Sequence, residues 1–138
     1  MRYLVDGMNV IGSRPDGWWR DRDGAVRRLA ASLAAVARSS GDQFAVTFDG
    51  RPVPGLESGR HDLVDVDYTR RRGRDGADDR IVEQVAADPD PASLTVVTSD
   101  RELSRRVSEL GAQVEGASTL LRRFGPRPGP PGHSPNEP

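Results

Sequence analysis

Cysteine is absent from the 138 residues, so no disulfide framework, thiolate metal site or cysteine nucleophile is available. Lysine is absent as well, and all 20 basic residues are arginine. That excludes a phosphate-loop lysine, a Schiff base and a phosphatase lysine. No apolar run approaches the ~18 residues that a bilayer span needs. The opening MRYLVDGMNV has neither a long apolar core nor a small-residue cleavage site. Nothing here requires an oxidising compartment, and the expected location is cytoplasmic. The net charge of −1 says little about partners. Arginine's planar fork suits phosphate better than a lysine point charge, although an arginine-only basic set is also a compositional trait.

What is present fits one compact domain, since single domains commonly run to about 100–150 residues. Residues 125–138 read GPRPGPPGHSPNEP, too rich in Pro and Gly to bury a core, and are expected to form a disordered tail. The folded part is then residues 1–124. Within it, strand-like and helix-like patterns alternate. Tyr3-Leu4-Val5 is a short apolar strand. From 22 to 38, Val26, Leu29, Ala30, Leu33, Val36 and Ala37 recur at helical spacing, and Gly41 closes the helix. Phe44–Phe48 is a second strand, and residues 63–68 alternate as an edge strand does. Residues 77–87 form a helix with Ile81, Val82 and Val85 inward. Leu94–Thr98 is a near-continuous apolar strand of the kind covered by helices on both faces. Ser99-Asp100-Arg101-Glu102 fits a capping box ahead of a helix with Leu103, Val107 and Leu110 inward and Gly111 as its stop. A short strand at 112–114 and a helix capped by Ser118 complete the pattern. Such alternation predicts an open α/β sheet with right-handed crossovers, binding its ligands beyond the carboxyl ends of the strands.

Three of the apolar strands run directly into a carboxylate: Asp6 after Val5, Asp49 after Phe48, and Asp100 after Thr98-Ser99. A parallel sheet gathers all three on one edge. Asp78 shares the helical face of Ile81, Val82 and Val85, whereas Asp79 points away and reads as a solvated first-turn acid favoured by the helix dipole. Each acid also has a plain reading, as a turn residue or helix cap. Together they demand more, because clustered carboxylates repel and need a cation to stay ionised. Hard oxygen ligands without Cys or a suitable His select Mg²⁺ or Mn²⁺. Such an ion suits phosphodiester hydrolysis. Asn9 either holds a carboxylate or a metal-bound water, or closes a turn.

Arg70, Arg71, Arg72 and Arg74 immediately precede the helix of Asp78, and a basic loop beside an acidic site is what a polyanionic substrate needs. A charge run is also commonly a solvated loop. Arg101 either touches phosphate or faces solvent. Trp18 and Trp19 lie on the loop after the first strand, where they either stack unpaired bases or seal the top of the core. His61 and His133 have no paired ligand and receive no role.

DGMNVIG at 6–12, FDG at 48–50, GADD at 76–79 and TSDRE at 98–102 resemble, in order and spacing, the NYN branch of the PIN-like nucleases, nearest to the bacterial YacP-like group. The resemblance spans residues 1–124. It implies a three-layer Rossmann-like PIN fold, with a mostly parallel central sheet of four to five strands flanked by helices. It also implies metal-dependent endoribonuclease activity on single-stranded RNA, leaving 5′-phosphate and 3′-hydroxyl ends. Asp6, Asp78 and Asp100 match the family's acidic metal-binding set, with Asn9 and Asp49 beside them. A ribosome or another partner that presents RNA is compatible with this. The reading from a different class is a catalytically silent RNA-binding or scaffold module that retains the fold. A small-molecule phosphatase is disfavoured, because the first strand carries no D-x-D and the chain no lysine.

Overall fold

The computed structural model describes residues 1–14, 16–69 and 76–124. The chain order is β1 (Arg2–Asp6), α1 (Gly7–Gly12), α2 (Arg22–Ser40), β2 (Gln43–Asp49), β3 (Gly59–His61), β4 (Val64–Thr69), α3 (Gly76–Ala87), β5 (Leu94–Val97), α4 (Arg101–Glu109), β6 (Gln113–Glu115) and α5 (Ala117–Arg123). Short 3₁₀ turns cover Trp18–Arg20 and Pro91–Ser93.

The strands form one six-stranded sheet in the order β3-β4-β2-β1-β5-β6. All neighbouring pairs are parallel except β3 with β4. The sheet is therefore mostly parallel, as expected, but wider than the four to five strands read from the sequence. The strand missed is β3, whose Gly-Arg-His offers no apolar signal and which pairs only with β4. Its presence also corrects the reading of residues 63–68. β4 lies between β2 and β3, and β3 is the edge strand.

Alternation along the parallel strands splits the core into two layers. Tyr3, Val5, Phe44, Val46, Phe48, Val64, Val66 and Val97 pack under α1, α2 and α5. On the opposite face, Leu4, Leu94 and Val96 pack with Ile81 and Val85 of α3 and Leu103 and Val107 of α4. The result is a three-layer sandwich of helices, sheet and helices. α2 follows its predicted face closely, with Val26, Leu29, Ala30, Leu33, Val36 and Ala37 buried. It ends at Gly41, whose φ of 78° is the left-handed cap a glycine adopts without Cβ strain.

Several local expectations change. The helix at 101–109 is capped by Asp100 rather than Ser99: the Asp100 Oδ1 accepts the Leu103 N–H at 2.9 Å. Glu102 pairs with Arg105 instead of reaching back in a capping box. Leu110 is exposed, because the helix has already ended when the chain reaches it. Gly116, not Ser118, precedes α5, and its first turn is held by the Ser99 Oγ, which accepts the Ala117 N–H at 3.0 Å. Residues 7–12, part of the loop expected after the first strand, form the six-residue helix α1. The segment 125–138 lies outside the described residues. Among the described residues no helix is long and apolar enough to cross a membrane.

Candidate active site at the switch point of the sheet

After β1 the chain enters α1 and α2 on one face of the sheet, and after β5 it enters α4 on the other. β1 and β5 are adjacent and parallel, with Val5 opposite Val97. Two neighbouring strands whose helices leave to opposite faces open a crevice at their carboxyl ends, the place where open α/β sheets bind ligands. Asp6 ends β1 at this crevice, and Thr98, Ser99 and Asp100 follow β5 into it.

Asp6 is 5% exposed, and strand alternation turns it to the face of Leu4, the side covered by α3 and α4. Its carboxyl is raised from the ordinary 3.8 to about 7. Burial is the main cause, and the negative charges of Asp78 and Asp49 push the same way. The Thr98 hydroxyl and the Asn9 backbone N–H pull it back in part. Desolvation and like charge both disfavour an anion here, so Asp6 keeps a proton until a cation or a base takes its place.

Thr98 is the link between the first strand and the fifth. Its buried hydroxyl donates to Asp6 Oδ2 at 3.0 Å and accepts the Asp100 N–H at 3.1 Å. The carboxylate of β1 and the backbone of Asp100 are thus fixed through one oxygen. Asn9 adds a second tie: its Oδ1 accepts the Ser99 N–H at 2.8 Å. The Oδ1 is thus engaged by a backbone N–H of the β5–α4 loop. It fastens α1 to the loop that carries Asp100.

Asp49 ends β2 and is also engaged. Its Oδ1 accepts the Thr69 hydroxyl at 3.0 Å and the Ala77 N–H at 2.8 Å. A carboxylate on the first turn of α3 satisfies a helix N–H and meets the positive end of the helix dipole. Asp49 thereby fixes the start of the helix that bears Asp78. Asp79 departs from its expected place in solvent. It is half-buried, and the Arg106 guanidinium of α4 meets its Oδ1 at 2.9 Å because α3 and α4 pack side by side on one face. Gly7 permits the close packing of α1 on β2: a Cβ there would lie 2.4 Å from Cδ1 of Phe48.

Arg101 is exposed on the first turn of α4. Arg70, Arg71, Arg72 and Arg74 lie outside the described residues. Trp18 packs against the core under α1 and α2, the sealing role considered for one of the pair, whereas Trp19 is 63% exposed. Among the described residues no three Asp, Glu or His side chains are grouped closely enough to hold an ion by themselves. Asp6 nevertheless feels both Asp78 and Asp49, and every acid at the crevice is an oxygen donor. Thr98, missed by sequence reasoning as a site residue, has one readable signal: a hydroxyl directly after the buried strand β5 and two residues ahead of Asp100.

Residues 3–126 match the family model described as the YacP-like NYN domain. The fold is similar to the crystal structure of Rae1 (YacP) from Bacillus subtilis. Identity there is 25%, with a TM-score of 0.73 over 90% of this chain and 73% of that one. The W164L mutant of the same Bacillus protein gives 27% identity and a TM-score of 0.71, over 89% and 74% of the two chains. Comparison with curated proteins finds no match. A family model spanning nearly the whole described chain, on a sheet whose switch point carries these acids, makes the chain a member of the YacP-like NYN family of nuclease-type domains.

Proposed function

We propose that the chain is a metal-dependent endoribonuclease that hydrolyses phosphodiester bonds of single-stranded RNA. The observation that carries this reading is the buried Asp6 carboxyl, raised to about 7 at the switch-point crevice with Asp78 and Asp49 acting on it. Burying an acid among acids has no structural benefit of its own, and a divalent cation is the partner that resolves it. Asp6, Asp78 and Asp100 would hold Mg²⁺ or Mn²⁺, with Asp49 beside them. The oxygen-only donors fit, and an ion that commonly binds through one or two carboxylates and keeps several waters needs no closed protein cage. When bound, the ion supplies charge neutralisation at the phosphoryl oxygens and an acidified water.

The chain's own groups do the rest. Thr98 and Asn9 hold the Asp6 and Asp100 segments in register. Asp49 holds the first turn of α3. Arg70, Arg71, Arg72, Arg74 and Arg101 draw the RNA phosphates to a crevice that would otherwise repel them. A ribosome or another RNA-presenting partner fits a substrate that must arrive unpaired, and cytoplasmic placement fits such a substrate.

The competing reading is a silent RNA-binding module, supported by the lack of a ready three-acid cage among the described residues. Cleavage of end-labelled single-stranded RNA separates the two. With Mn²⁺ the wild type should cut, EDTA should stop it, and Asp100→Asn should lose cutting while still melting cooperatively. RNA that is bound by the wild type and never cut would establish the silent module instead.

A further inference from the structure

Trp19 has no role in the core or at the acidic crevice, yet the fold holds it firmly. It is 63% exposed, within the 3₁₀ turn Trp18–Arg20. The turn is closed by Arg20 N–H to Gly17 C=O and Asp21 N–H to Trp18 C=O, both 3.0 Å. Before it, Trp18 is anchored on the core. After it, Asp21 caps α2 by accepting the Gly24 N–H at 3.0 Å. Gly24 allows that approach, since a Cβ there would lie 2.2 Å from Asp21 Oδ2. Trp18 also meets Trp19 edge to face, with centroids 6.3 Å apart. The exposed indole is therefore presented from both sides by fixed neighbours.

The segment around it is of mixed charge, Asp16, Asp21 and Asp23 alternating with Arg20 and Arg22, and lies at the same end of the sheet as the acids, but the group set against the ring is a cation. The Arg20 guanidinium stands 5.9 Å from the Trp19 ring centroid. Arg22, at the start of α2, donates to the Asp49 carbonyl at 2.7 Å, which places the beginning of that helix beside the carboxyl end of β2. An exposed indole on a hydrogen-bonded turn, with a guanidinium against it, favours a ligand that combines a flat π face with negative charge. An unpaired nucleotide has both.

We infer that Trp19, assisted by Arg20, is a stacking platform for one unpaired base of a single-stranded RNA whose backbone runs on toward the acidic crevice. This rests on the RNA-directed reading above, and adds a binding residue outside the acidic set.

The test measures binding of a short fluorescent oligoadenylate, in EDTA to prevent cleavage, by wild type, Trp19→Ala and Trp19→Phe. Inorganic polyphosphate serves as a probe with charge and no bases. Trp19→Ala should bind the oligonucleotide about tenfold more weakly, Trp19→Phe should recover most of that loss, and polyphosphate affinity should not change. Equal RNA affinity in wild type and Trp19→Ala would overturn the platform while leaving the ribonuclease reading intact. Equal losses on both probes would reduce Trp19 to a support for charge contacts and overturn stacking. A wild type that binds no oligonucleotide would overturn the platform, and the Mn²⁺ cleavage assay above then decides the ribonuclease reading by itself.

Discussion

At the residue scale, the feature with the widest consequences is the protonation of Asp6. Its folded-state carboxyl titrates near 7 against 3.8 in the ordinary state. Below about pH 4 both folded and unfolded chains carry the proton, and the group costs nothing. Between about pH 4 and about pH 7 the unfolded chain has released it and the folded chain has not, so stability falls as pH rises; above that window the loss is constant. From a raised value of about 7 the total is on the order of 4 kcal/mol as an upper bound. Asp6→Asn should therefore flatten the decline and melt above the wild type at about pH 8. Denaturant melts of both proteins across this range check it, and a wild-type profile without the decline would show that Asp6 is not held neutral. Very little of this was legible in the sequence. Asp6 could be placed at a strand end, but nothing in Val-Asp-Gly distinguishes a buried acid from a turn acid.

At the scale of elements, the β3–β4 hairpin carries the least favourable backbone among the described residues. His61 pairs with Val64, so the loop is the two residues Asp62 and Leu63, with φ of 43° and 74°. Positive φ at both central positions is the geometry of the type I′ turn, which Asn-Gly adopts without strain and a leucine does not. Leu63 is 42% exposed and gives up little burial when removed. Leu63→Gly should raise stability by about 0.5–1 kcal/mol, the gain being reduced by glycine's greater freedom in the unfolded chain. An unchanged or lower midpoint in chemical denaturation would mean that Leu63 packs more usefully than its exposure suggests. This hairpin also explains why β3 escaped sequence reading, since both its strand residues and its turn lack the usual signals. α1 escaped for a related reason. Its six residues begin and end in glycine, so the local preference is for a turn, and packing against β2 and α2 makes it a helix. The long helix α2 and strands β1, β2 and β5 were legible because their apolar periods are sustained.

At the scale of the whole molecule, the sheet acts as a frame that brings β1, β2 and β5 to a common edge, and α3 is tied to that edge through Asp49. A cation held there would bind the folded chain and not the unfolded one, and so would stabilise it by mass action, about 2.7 kcal/mol at a hundredfold excess over Kd. Protons compete with the ion for Asp6, so the Mn²⁺-induced rise in melting temperature should be larger at about pH 8 than at about pH 5. Asp6→Asn should abolish the difference. Thermal melting with and without Mn²⁺ at the two pH values is sufficient, and a shift of the same size at both would place the ion elsewhere.

The sequence by itself determined the alternation of strands and helices, the parallel sheet, and the arrival of three acids at one of its edges. Those follow from periodicity and from the direction in which parallel strands must run, both of which are set by near neighbours in the chain. The tertiary structure alone decided which acid is buried, that one threonine hydroxyl serves both Asp6 and Asp100, and that Asn9 and Asp49 act as fasteners. Thr98 and Asp6 are 92 positions apart, and Asn9 and Ser99 are 90 apart. A carboxyl's affinity for a proton depends on the water, charges and donors around it in space, and for Asp6 these arrive from α1, β2, α3 and the loop after β5.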